Sequence, residues 1–147
     1  SIYAKGRDNA RTPMQWDDGN NAGFTQGSPW LRLNPNYTEI NAKQALADPD
    51  SVFYYYQKLI RLRKEEPVLT EGKTVPIMEA DEKVFAYIRE SEEADLLVLG
   101  NFTEETAAYQ APDAFRGQET LISNYADEGE FGLLRPFEAK MVIVRKR

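Results

Sequence analysis

The sequence contains no cysteine and no histidine. The first absence excludes disulfides, thiolate metal sites and cysteine nucleophiles. The second excludes a Ser-His-Asp triad and imidazole-ligated metals. No run approaches the roughly 18 apolar residues of a membrane-crossing helix, and the N-terminus lacks the charged-then-apolar pattern of a secretory leader. Basic residues are in deficit, 18 Lys and Arg against 24 Asp and Glu, for a net charge of −6. That balance is a poor match for nucleic acid or an anionic membrane, because binding phosphates requires clustered cations. Together these absences predict a soluble, cytoplasmic protein with no cofactor and no metal. Its chemistry is confined to carboxylate, guanidinium, amine, amide, hydroxyl and phenol groups. The chain opens at Ser1-Ile2-Tyr3 rather than at a methionine, as an excised segment would.

What is present is globular in composition: 147 residues, 41% apolar and 29% charged. That length holds one ordinary domain, or a small one with an appendage, and two separate cores would each be marginal. Residues 1–40 are punctuated by Gly6, Gly19, Gly23, Gly27, Pro13, Pro29 and Pro35 and predict no regular structure. They also carry both tryptophans, Trp16 and Trp30, with Met14 and Phe24. A disordered linker is poor in aromatics, so an ordered loop that packs on something is expected.

Asn41 is placed to cap a short helix through Ala47. Asp48-Pro49 then has the form of an N-cap with proline at the first helical position, predicting a helix to about Glu65 that Pro67 ends. Val52, Tyr56, Leu59, Ile60 and Arg63 share one stripe, widened by Phe53 and bordered by Tyr55 and Leu62. Left uncovered, such a stripe favours self-association. Arg61, Arg63 and Lys64 are best explained as a solvated helix face.

From residue 68 onward the pattern is β. Lys73–Met78, Lys83–Glu90, Leu96–Phe102, Thr106–Gln110, Glu119–Ser123 and Ala139–Val144 are short, rich in β-branched and aromatic residues, and separated by turn signals. Within Lys83–Glu90, Val84, Ala86 and Ile88 alternate with Phe85, Tyr87 and Arg89. The spacing predicts a mainly β chain ending in an antiparallel β-sandwich.

The densest polar constellation is Gly6-Arg7-Asp8-Asn9-Ala10-Arg11-Thr12-Pro13-Met14-Gln15-Trp16-Asp17. Guanidinium groups are planar, forked donors that suit sugar hydroxyls, and Trp16 offers a flat apolar face. On spacing alone, a loop stapled to its neighbours by Arg–carboxylate pairs is the commoner use of such residues. Glycoside hydrolysis within this chain would need two carboxylates about 5–9.5 Å apart. Asp8, Asp17, Asp18, Glu39, Asp48 and Asp50 are available, but none has a partner at a fixed spacing on a rigid element. Asp48 is better explained as a cap and Asp50 as a first-turn acid. Tyr54, Tyr55 and Tyr56 point about 100° apart on a helix and cannot form one platform. Phe85, Tyr87, Phe102, Tyr109, Phe131 and Phe137 are expected to fill the core of the β region rather than line a sugar-binding face.

The Gly6–Asp17 motif resembles that of glycoside hydrolase family 13 α-glucosidases of the oligo-1,6-glucosidase and dextran glucosidase type. The likeness continues through Asn21-Ala22-Gly23-Phe24-Thr25, Pro29-Trp30, Asn34-Pro35-Asn36-Tyr37, Ile40-Asn41, Gln44-Ala45-Leu46, Asp48-Pro49-Asp50-Ser51 and Tyr56–Lys64. It returns at Leu134-Arg135-Pro136-Phe137-Glu138-Ala139. The resemblance implies the end of a (β/α)8 barrel, comprising a long loop and one or two helices, followed by an α-amylase-type C-terminal β-sandwich. The two parts fall at residues 1–67 and 68–147.

A barrel takes about 250 residues and does not fit here. The family's retaining mechanism uses an aspartate nucleophile, a glutamate acid/base and a second aspartate. All three lie on earlier barrel segments that no position of this chain matches, so the resemblance implies no catalytic residue here. Arg11 matches the arginine that holds the nonreducing-end glucose, and Arg7 one lining the pocket entrance. The implied partners are an α-linked gluco-oligosaccharide and an N-terminal catalytic barrel. The segment around Asn34-Pro35-Asn36-Tyr37 leans toward α-1,6 substrates, with α-1,4 linkages, trehalose 6-phosphate and sucrose as alternatives.

Overall fold

The computed structural model describes residues 8–146. It divides into two compact units, the first ending at Tyr56 and the second beginning at Gln57.

The first unit has little regular structure. Three 3-10 turns, Asp8–Ala10, Asn20–Gly23 and Pro35–Thr38, precede helix α1 (Ala42–Ala47). Asn41 caps α1 as expected: its side chain accepts from the Gln44 amide at 2.9 Å and donates to the Tyr37 carbonyl at 2.9 Å. Helix α2 begins at Val52 and ends at Glu65, so its start lies three residues later than the Asp48 cap with Pro49 at the first helical position predicts. The Asp48 carboxylate accepts from the Asp50 amide at 2.9 Å, and its carbonyl accepts from the Ser51 amide at 3.1 Å. Asp48-Pro49 therefore closes a tight turn instead of starting a helix. On α2, Val52, Tyr56 and Ile60 are exposed, and Leu62 is its one buried residue.

The second unit adds a four-residue helix, α3 (Val68–Glu71), which the sequence reading lacks. Pro67, expected only to stop the preceding helix, has helical φ and ψ and leads straight into this turn. Seven strands follow: β1 (Lys73–Ile77), β2 (Val84–Glu90), β3 (Ala94–Asn101), β4 (Ala107–Ala108), β5 (Glu119–Ser123), β6 (Leu133–Leu134) and β7 (Ala139–Arg145). Five form an antiparallel sheet in the order β1-β2-β3-β7-β5, and β4 pairs with β6 in a short ribbon. Antiparallel sheet is thus the principal regular structure of the chain. Strand β6, only two residues long, has no counterpart among the expected strands.

The alternation along β2 decides which face is buried. Val84, Ala86 and Ile88 join Leu97, Leu99 and Val142 in one core with Ala107 and Leu134 of the ribbon, Tyr109 and Phe115. The opposite register carries Phe85, Tyr87 and Arg89. Helix α3 packs on β2 and β3, and the Arg89 guanidinium donates to the Val68 carbonyl at 3.2 Å. Tyr109 is buried and Phe131 half-buried, as expected of core residues. Phe85, Phe102 and Phe137 are not: they are 60%, 72% and 54% exposed. Phe85 sits on the outward register of β2, while Phe102 and Phe137 lie just beyond β3 and just before β7, where the chain leaves the sheet.

The approach to β7 is built on charge. Glu138 is 1% exposed and its carboxylate accepts from the Arg135 amide at 2.8 Å and from Arg135 Nε at 3.0 Å. The Lys140 ammonium lies 3.4 Å from its other oxygen. Arg135 also holds Asp127 at 2.7 Å and lies 3.8 Å over the Tyr125 ring. Burial by itself would raise the Glu138 carboxyl; the Arg135 hydrogen bonds and the Lys140 charge outweigh it and hold the pKa below the ordinary value. Asn101 completes the turn, donating to the carbonyls of Glu105 (2.7 Å) and Arg135 (2.9 Å). The segment Leu134–Ala139, noticed in the sequence as a motif, is therefore a buried ionic anchor for the last strand.

Candidate functional site

The Gly6–Asp17 motif separates into two parts. Its second half is structural. The Gln15 and Trp16 carbonyls accept from the Ala42 amide (2.9 Å) and the Lys43 amide (3.0 Å), two of the four N–H groups that the first turn of α1 leaves unpaired. The Gln15 side-chain amide donates to Asn36 Oδ1 at 3.1 Å and also to the Ile40 carbonyl. The Trp16 and Asp17 amides both donate to the Ala22 carbonyl, at 2.9 and 3.2 Å. Asp17 Oδ1 accepts from the Gly19 amide at 2.8 Å, and Lys43 pairs with Asp18 at 3.0 Å. The hydrogen bond from Lys43 lowers the Asp18 pKa, and the same bond raises that of Lys43.

This clamp closes around a left-handed turn. Asn21, Ala22 and Gly23 all have positive φ, at 52°, 56° and 67°. Gly23 suits that conformation, and a Cβ there would lie 2.7 Å from Asp17 Oδ2. Ala22 does not suit it, yet it is fully buried, and its carbonyl is the acceptor that the clamp requires. Asn21 holds the far side by donating to the carbonyls of Thr25 (3.1 Å) and Gly27 (2.8 Å).

The first half of the motif is open. Arg11 follows the Asp8–Ala10 turn, its amide donating to the Asp8 carbonyl at 3.0 Å. Its guanidinium pairs with Asp8 at 2.6 Å, and both side chains are more than half exposed. A pair this accessible contributes little to stability, so the fork remains free to exchange partners. The ring above Arg11 is that of Trp30, with the guanidinium carbon 5.7 Å from its centroid. Sequence reasoning singled out Trp16 as a sugar platform and missed Trp30. Trp16 is 53% exposed, but its backbone is locked into the clamp. No local signal links residues 11 and 30; their approach depends on how the loop folds back. Arg7 lies outside the described residues. Among the described residues, no cluster of three metal-ligating side chains occurs, and no helix is long and apolar enough to cross a membrane.

The chain belongs to the α-amylase family, glycoside hydrolase family 13: the model for the α-amylase catalytic domain matches residues 1–72. Its relatives include oligo-1,6-glucosidases and trehalose-6-phosphate hydrolases and, among solved structures, trehalulose and isomaltulose synthases. The chain is 50% identical to the oligo-1,6-glucosidase of Parageobacillus thermoglucosidasius over 98% of its own length and 27% of that protein's. To the trehalose-6-phosphate hydrolase of Bacillus subtilis it is 46% identical, over 94% of this chain and 26% of that one. The crystal structure of Bacillus licheniformis trehalose-6-phosphate hydrolase superposes with a TM-score of 0.90 at 42% identity, covering 99% of this chain and 27% of that one. The chain thus spans about a quarter of the length of the relatives it matches.

Proposed function

We propose that this chain is the C-terminal portion of an α-glucosidase that hydrolyses terminal α-glucosidic bonds of oligosaccharides, α-1,6 bonds foremost, with retention of configuration. The observation that carries it is the 50% identity to an oligo-1,6-glucosidase across 98% of the chain. In this reading residues 1–67 complete a catalytic barrel and residues 68–147 form the β-sandwich that follows it. The shared core of the five-stranded sheet and the β4–β6 ribbon supports a two-sheet arrangement. The three catalytic carboxylates belong to preceding polypeptide, and the 147-residue chain alone is inactive. The whole protein is cytoplasmic and works without a cofactor.

Arg11 then holds the nonreducing-end glucose and Arg7 lines the entrance beside it. Loops that follow barrel strands are where such ligand sites lie. A fixed guanidinium there selects chain ends and, beside carboxylates, lowers their pKa. The exposed, weakly held fork of Arg11 suits an exchange of Asp8 for substrate hydroxyls.

A second reading makes trehalose 6-phosphate the substrate. The 46% identity to one such hydrolase and the 0.90 TM-score to another favour it. Both are tested by assaying the longer protein that carries this chain on isomaltose and on trehalose 6-phosphate, with proton NMR of the first anomer released. Glucose released from isomaltose as the α-anomer is expected. Turnover by the pure 147-residue chain, or release of the β-anomer, would contradict the proposal.

A further inference from the structure

Asp18-Gly19 is the one Asp-Gly or Asn-Gly step in the sequence. Glycine leaves the peptide nitrogen after an aspartate unshielded and the backbone around it free to turn, so that nitrogen can reach the aspartate's own carboxyl carbon. In that reaction the Gly19 nitrogen bonds to Asp18 Cγ, and the amide proton leaves with the carboxyl hydroxyl as water. Water then opens the cyclic imide at either carbonyl. One opening restores aspartate. The other routes the main chain through the side chain as isoaspartate and lengthens the backbone by one carbon. No further reactant is required.

The loop engages both reacting groups. The Gly19 N–H donates to Asp17 Oδ1 at 2.8 Å, so the attacking nitrogen is committed elsewhere. The Asp18 carboxylate pairs with the Lys43 ammonium at 3.0 Å. That hydrogen bond lowers its pKa, and an ionised carboxylate has no hydroxyl to expel. Both partners are themselves fixed: the Asp17 amide donates to the Ala22 carbonyl at 3.2 Å, and the Lys43 amide to the Trp16 carbonyl at 3.0 Å. Gly19 is not there for its backbone angles, because its φ of −82° suits any residue. A Cβ on it would lie 3.0 Å from Asp17 Oδ1, the same oxygen to which its amide donates. The clamp thus requires the residue that makes Asp18 labile, and it supplies the restraint.

We propose that Asp18-Gly19 is a latent isoaspartate site, and that Asp17 and Lys43 suppress its closure by engaging the attacking amide and the carboxylate it would attack. An extra backbone carbon at this step would fall between the Trp16 and Asp17 amides and the Ala22 carbonyl that accepts from both. Isomerisation would therefore undo the clamp from within. None of this chemistry depends on which glycoside the longer protein cleaves.

The test ages the 147-residue chain at neutral pH and physiological temperature, and follows isoaspartate at Asp18 by enzymatic methyl labelling and peptide mapping. Accumulation many times slower than in a free peptide of residues 14–22 is expected. Lys43→Met should speed it severalfold. The Lys43–Asp18 pair is exposed and contributes little to stability, so in this variant the clamp amides should exchange as in the parent before ageing. Asp17→Ala should also speed it, while Asp17→Asn, which keeps an Oδ1 acceptor, stays near the parent rate. The isomerised fraction should show faster hydrogen exchange at the Trp16 and Asp17 amides. Isoaspartate forming as fast in the folded chain as in the free peptide, or parent rates in both Lys43→Met and Asp17→Ala, would overturn the proposal.

Discussion

The two units reach order by different physics. The second buries Leu96, Leu97, Leu99, Leu134 and Ile143 to 1% exposure or less, and its polar exceptions, Asn101, Glu138 and Lys140, are all partnered. In the first, the buried residues among those described are Pro13, Ala22 and Asn41, and none of these is large and apolar. It is held instead by backbone amides donating across the loop and by the side chains of Gln15, Asp17, Asn21 and Asn41. Meanwhile Met14, Trp16, Phe24, Trp30, Ile40 and Val52 are exposed. A region with so much apolar surface and so little core takes its shape from hydrogen bonds rather than from burial. A region with a sealed core carries its own stability.

Substitutions should therefore act differently in the two units. The largest effect is expected for Leu97→Ala, which empties a fully buried site and should cost about 2–5 kcal/mol in chemical denaturation of the sheet. Next is Glu138→Gln, which leaves the Arg135 and Lys140 cations without their buried counter-charge and replaces one acceptor oxygen by a donor; a loss of about 2–3 kcal/mol is expected. That residue also sets an acid limit. Its folded pKa is depressed, so its contribution is complete above the unfolded glutamate value of about 4.3 and is lost as pH falls through the folded pKa. Acid titration of Glu138→Gln should show a flatter loss of stability below that pH than the parent chain shows.

In the first unit the effects are smaller and local. Gly23→Ala places a side chain in left-handed backbone and against Asp17, and should cost about 1–2 kcal/mol. Asn41→Ala removes the α1 cap at about 1 kcal/mol. For both, the readout is faster hydrogen exchange at the Trp16, Ala42 and Lys43 amides. The denaturation midpoint of the sheet should stay put. A shift of that midpoint by Gly23→Ala as large as that by Leu97→Ala would erase the contrast between the units.

The sequence made the second unit more legible than the first, and the reason is periodicity. Alternation along Val84–Glu90 marks both the strand and its buried face, and the limits of β5 were read correctly. A two-residue strand such as Leu133–Leu134 has no period to detect. Aromatic content predicts burial only on average, so Phe85, Phe102 and Phe137 were placed inside when they lie outside. In the first unit, Asn41 as a cap was readable because its signal is local. The Asp48-Pro49 signal was equally local but has two solutions, a cap or a tight turn, and the chain takes the turn. The left-handed turn through Ala22 was hidden because alanine rarely adopts it. The pairing of Arg11 with Trp30 is a tertiary fact with no counterpart in spacing. The motif was legible as a motif, but its division into an open arginine and a clamped Gln15-Trp16-Asp17 was not.

The central claim is that the open arginine of the first unit serves a sugar pocket completed by other polypeptide. Its most direct test is the specificity constant for isomaltose of the longer protein carrying Arg11→Ala. A lost charged hydrogen bond to substrate, about 1.5–3 kcal/mol, predicts a fall of roughly 10-fold to 150-fold. A value within twofold of the parent protein would contradict it.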